Sequence, residues 1–153
     1  MEEEFENVEY VNYKLASELK ALGFNYPCFR AYDDCEILYY SSSSNGNILN
    51  SNLSSAVAAP LYQQAFRFFR KKYGMYVHSS PEFYFTGINF NWQILWYMPK
   101  EEWTERNCCD GTYFYGDNGE YPTQELADIA MIEKMIELVK SKRVINLVNS
   151  LKR

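Results

Sequence analysis

A chain of 153 residues, 47% apolar and 18% aromatic, is long enough for one domain with a substantial core, which argues against disorder throughout. The net charge of −5 sits at the start, in Glu2, Glu3, Glu4, Glu6 and Glu9; the fifteen remaining acids balance fifteen Lys and Arg, leaving no net field to gather phosphates. MEEEFENVEY has no basic-then-apolar leader and no apolar run approaches the roughly 18 residues that cross a bilayer, so no membrane and a cytoplasmic setting are expected, with Cys28, Cys35, Cys108 and Cys109 as free thiols.

Val8, Val11, Leu15, Leu19 and Leu22 recur at helical spacing, and Gly23 follows where a helix commonly ends in the left-handed conformation, so the first helix is expected over 8–22. CFRAYDDCEILYYS has rings and aliphatics on both sides of Asp33 and Asp34, and reads as a hairpin with strands 28–32 and 36–41. SSSSNGNILNSNLSSA reads as a surface loop, since few of its side chains offset the ordering cost of about 1–2 kcal/mol per residue. Pro60 suits a first helical turn and Gly74 an end, giving a second helix over 60–73. On its wheel Leu61, Tyr62, Ala65, Phe66, Phe68, Phe69 and Tyr73 share one arc, and Gln63, Gln64, Arg67, Arg70 and Lys71 the other, with Lys72 inside the apolar arc.

After Gly74 the period changes to ring-rich runs, MYVHS, EFYF and FNWQILWYM, separated by Ser-Ser-Pro and Thr-Gly-Ile-Asn, which read as three strands of an antiparallel meander ended by Pro99. In the third, Phe90, Trp92, Ile94, Trp96 and Met98 share one face. KEEWTERNCCDG reads as a charged connection, and TYFYGDNGEY as a further strand with an Asn-Gly turn. Thr123 caps a long helix whose Leu126, Ile129, Met131, Ile132, Met135, Ile136, Leu138 and Val139 form a stripe wide enough to lie across a sheet. VINLVNSLKR extends this helix or follows a short break, and its Val144, Leu147, Val148 and Leu151 form a stripe through which copies of the chain could associate.

Arg67, Arg70 and Lys71 are the candidate phosphate-binding set, and they define a nucleic-acid-binding alternative; a solvated helix face accounts for them more simply, because the rings of that helix point to the opposite arc. His78 is the sole histidine, so an enzyme using imidazole chemistry must be centred on it, yet no nucleophile partner is spelled out nearby. Cys28 and Cys35, with six residues between them, and adjacent Cys108 and Cys109 lack the paired spacing of a metal site, and Asp117, Asn118 and Glu120 lack the alternation of a calcium loop, so neither metal nor cofactor is expected. The candidate partner-binding set is Tyr84, Trp92, Trp96, Tyr97 and Trp103, rings beyond what one sheet face need bury and well suited to anchoring a protein partner.

AAPLYQQAFRFFRKKYGMYV, followed by TQELADIAMIEKMIELVK, resembles small uncharacterised proteins encoded by phages and prophages of gut Bacteroidales, which carry a similar Ala-Pro-x-Tyr-Gln-Gln helix. The likeness covers roughly residues 24–141, its most specific part is Ala59 to Gln64, and the acidic head and VINLVNSLKR tail fall outside it. The resemblance implies a phage accessory protein in the host cytoplasm and brings no activity or catalytic residue with it. Taken together, the expected architecture is a single α+β domain over 10–141, an antiparallel sheet of hairpin plus meander packed with about three helices, with an acidic head at 1–9 and a helical extension at 142–153. The expected function is a non-catalytic accessory protein that binds another protein.

Overall fold

The computed structural model describes residues 10–40, 47–97 and 112–151. Among these it places α1 (Tyr13–Ala21), β1 (Arg30–Tyr32), β2 (Leu38–Tyr40), β3 (Val57–Ala59), α2 (Tyr62–Tyr73), β4 (Met75–Tyr84), β5 (Gly87–Tyr97), β6 (Thr112–Tyr121) and α3 (Gln124–Leu151). The expected α+β class is what the chain forms, three α-helices with antiparallel strands. The strands form two sheets, β2-β1-β3 and β4-β5-β6, so hairpin and meander are not parts of one. The chain divides into two compact units, Met1–Phe68 and Phe69–Arg153, the division falling inside α2.

In the first unit Asn12 caps α1, its Oδ1 accepting the Leu15 N–H at 3.0 Å, so the helix starts later than the periodicity of Val8 and Val11 predicts. It ends at the expected glycine: Gly23 has φ +91, its N–H donates to the Lys20 carbonyl, and the Phe24 N–H donates to that of Leu19, both at 2.9 Å. That pair of bonds is a Schellman motif, with Phe24 and Leu19 both buried at the helix end. In the β1–β2 hairpin, Asp33 Oδ1 accepts the N–H groups of Cys35 (2.8 Å) and Ile37 (2.9 Å), the turn chemistry expected of aspartate.

Residues 47–59 are more structured than a surface loop. Ile48 pairs with Cys28, Asn50 is buried, and Val57–Ala59 adds to β1 as a fully buried strand. Asn50 supplies the ordering that the apolar content does not: its Nδ2 donates to the Phe24 carbonyl and its Oδ1 accepts the Ala58 N–H, both at 2.9 Å. Lys20 adds a second clamp, its Nζ donating to the carbonyls of Leu53 (3.3 Å), Ser54 (3.3 Å) and Ala56 (2.8 Å). α2 begins two residues after Pro60, where Gln64 Oε1 reaches back to accept the Leu61 N–H at 2.9 Å.

In the second unit, MYVHS and EFYF are one strand, not two. Ser79, Ser80 and Pro81 pair with Trp92, Asn91 and Phe90 without interruption, because β4 is an edge strand and an edge tolerates a missing donor on its outer side. Asn118 and Gly119 do not turn a hairpin; they fall where the β5–β6 register jumps, Phe90 opposing Tyr121 and Trp92 opposing Asp117. Thr123 Oγ1 accepts the Leu126 N–H at 3.3 Å at the start of α3, which continues through VINLVNSL as one helix to Leu151. Pro99 and the connection 100–111 lie outside the described residues.

Candidate interaction surface

Alternation along β4 and β5 decides which rings are core. Met75, Val77 and Ser79 pair with Trp96, Ile94 and Trp92, so these six side chains share one face of the sheet, and α3 packs against that sheet with Ala127, Met131, Ile132, Met135 and Val139 buried. Trp92 is 5% and Trp96 3% exposed. The indole N–H of Trp96 donates to the Tyr73 carbonyl at 2.9 Å, and the Lys142 ammonium stands 5.4 Å from its ring centre. Trp92 lies beside a polar group of residues at the start of α3: Tyr121 donates to Asp117 (2.7 Å), and the Gln124 amide donates to Ser79 and to Asp128 (2.9 Å). The buried Trp92 N–H has no acceptor at full hydrogen-bond geometry, though it is near enough to the Tyr121 hydroxyl to oppose the upward shift that burial gives that phenol. Burial likewise raises the Asp128 carboxyl, against the lowering effect of the Gln124 amide. Two of the five expected anchors therefore belong to the core.

The other face and the far end of the hairpin differ. β6 reaches only to the level of Phe90, where Tyr121 pairs, and the first residue of α3, Gln124, meets Ser79. Residues 82–89 run beyond both as a two-stranded arm, with Phe83 opposite Ile88 and Tyr84 opposite Gly87. The turn is Phe85-Thr86, and Phe85 is 113% exposed, Phe83 78%, Ile88 49% and Tyr84 48%. Neither turn residue has positive φ; Gly87, at φ +144, takes the backbone departure that closes the loop. Polar pairs on one side fix the arm: Glu82 accepts from the Tyr84 hydroxyl and the Asn91 amide, and Ser80 donates to Asn91 Oδ1 at 2.7 Å. An isolated hairpin of this kind is marginal in water, yet this one exposes four large apolar side chains.

Of the expected anchors, Tyr84 is on this arm, Tyr97 lies in β5 opposite Thr112, and Trp103 lies outside the described residues. Phe83, Phe85 and Ile88 were missed, although one signal was present: Phe83, Tyr84 and Phe85 are consecutive, and rings in consecutive strand positions cannot all face one core.

The competing sites are less complete. Arg67, Arg70 and Lys71 are exposed on α2 as the wheel predicts, while Phe68 and Phe69 of the same helix are 3% and 0% exposed and cannot stack on a base. His78 is exposed on the outer face opposite Gln93, and its imidazole makes no hydrogen bond with a described residue. The Cys28 thiol is buried with its pKa pushed up to about 12, the reverse of a nucleophile. Among the described residues no three His, Cys, Asp or Glu side chains converge as a metal site, and no helix is long and apolar enough to cross a membrane. Comparison with protein-family models, curated proteins and solved structures gives no match to this chain.

Proposed function

We propose that this protein acts by binding another protein and that the β4–β5 arm is its contact. The observation that carries this reading is the run of Phe83, Tyr84, Phe85 and Ile88 on a hairpin that outreaches both β6 and α3. Aromatic side chains have few torsions to immobilise, and the bonds of Glu82 and Asn91 hold the strands in place beforehand, so little ordering cost opposes docking. Burying one phenylalanine is worth about 1.5–3 kcal/mol, and two or three such rings suffice for a specific contact. A small accessory role, without catalysis, fits a chain whose described residues assemble no reacting group.

The test is affinity capture from the native host with the wild-type chain and with Phe83→Ser/Phe85→Ser, whose replaced side chains are exposed. Proteins held by the wild type and lost by the variant, at unchanged circular dichroism and Tm, are the expected result. Retention of the same proteins by the variant would overturn the reading.

A further inference from the structure

We infer that the arm receives a basic amphipathic helix of the partner, an inference that rests on the protein-binding reading above. Pro81, Phe83, Ile88 and Phe90 continue, on the same sheet face, the row that α3 covers at Trp92, Ile94 and Trp96. The helix stops at Ser79; the row does not. Strand rise of about 3.3 Å per residue carries the uncovered part roughly 13 Å past Ser79 to Phe83. A second helix laid on that stretch extends a helix-on-sheet layer already present in the fold.

Among the described residues, the charges on β4, β5, β6 and the first two turns of α3 have one sign. Strands β4 and β5 contain no Lys or Arg, and the sequence from Thr112 to Glu133 contains none either. Asp117 faces Trp92 across the strands, and Glu125 and Asp128 occupy the first turns of α3, the end that meets β4 at Ser79 just below the arm; Glu82 is on the arm's reverse face. The first cation of α3 is Lys134, about 15 Å along the helix. An apolar row beside these carboxylates favours a ligand with apolar side chains on one side and lysine or arginine on the flanks, and disfavours an anionic lipid surface. Helix α2 of a second copy fits less well: its cations at Arg67, Arg70 and Lys71 lie on the exposed arc, while the rings Phe68 and Phe69 of that helix are buried and cannot supply apolar contact.

The experiment is selection of binders to the full chain from a random-sequence library of helical peptides, followed by anisotropy titration of the recovered peptides. Expected are sequences with an apolar face and net positive charge, affinities at least about tenfold weaker for Phe83→Ser/Ile88→Ser, and a shallower salt dependence for Glu125→Gln. Arm-dependent peptides that are neutral or acidic would overturn the basic-helix assignment and leave the protein-binding reading standing. Recovery only of peptides indifferent to Phe83→Ser/Ile88→Ser would overturn both. Arm-dependent sedimentation with phosphatidylcholine vesicles, or an arm-dependent dimer in analytical ultracentrifugation, would overturn the inference in favour of lipid or a second copy.

Discussion

The Cys28 thiol is fully buried, and with its pKa pushed to about 12 almost none of it is thiolate at pH 8, whereas Cys35 is exposed on the β1–β2 turn. Iodoacetamide at pH 8 should therefore label Cys35 readily and Cys28 only after unfolding, with peptide mapping to separate the sites; prompt labelling of Cys28 in the folded protein would contradict its burial. Asp128 carries a second residue-scale consequence. Its pKa is raised chiefly by burial, so the fold tolerates the protonated form better, and the stability associated with that preference is present at low pH and lost as pH rises through the folded pKa. Asp128→Asn, which keeps an acceptor for Gln124, should raise Tm at pH 7, and the gain should vanish below about pH 3.5, where an unperturbed aspartate is itself mostly protonated. A gain equal at pH 7 and pH 3, or a loss at pH 7, would refute this. At this scale the sequence was informative where one residue has one physical reason, as with Gly23 and Asp33, and silent where the reason lies across the chain. Nothing local marks Asn50 as a buried bridge between Phe24 and Ala58, residues 26 and 8 positions away.

Elements with strong periodicity were legible to within a few residues at most of their ends: the end of α1, α2 and the start of α3 follow their apolar stripes and caps, while α1 starts five residues later than its stripe predicts. Val57–Ala59 was not, because three small residues have no readable period and their burial comes from pairing with β1. Nor was the continuity of β4, since Ser-Ser-Pro has turn composition but an edge strand needs hydrogen bonds on only one side. The β4–β5 turn is open to direct test. A Cβ at Gly87 would meet nothing within 4 Å, so the whole penalty of a side chain there is the φ of +144. Gly87→Ala should lower stability by about 1 kcal/mol in urea unfolding, without a cavity or clash to account for it. An unchanged midpoint would show that the arm relaxes around the substitution.

For the whole molecule, composition and pattern were sufficient for an α+β chain of helices and antiparallel strands, but not for the assortment of strands into sheets. Period-two runs state that a segment is a strand and leave its neighbours open; here β1 takes β2 and β3, separated from it by different loops, while β4, β5 and β6 pair among themselves. The candidate surface was half legible for the same reason. Abundant rings in residues 75–97 pointed to that hairpin, but only the register shows that Trp92 and Trp96 face α3 while Phe83, Tyr84 and Phe85 lie past its end. One further consequence attaches to Pro81. Ten residues of ring-rich edge are the kind of template on which identical chains stack into fibres, and a proline followed by the charge of Glu82 breaks that row of donors near the tip. The edge can thus carry exposed rings while remaining a poor seed for its own aggregation.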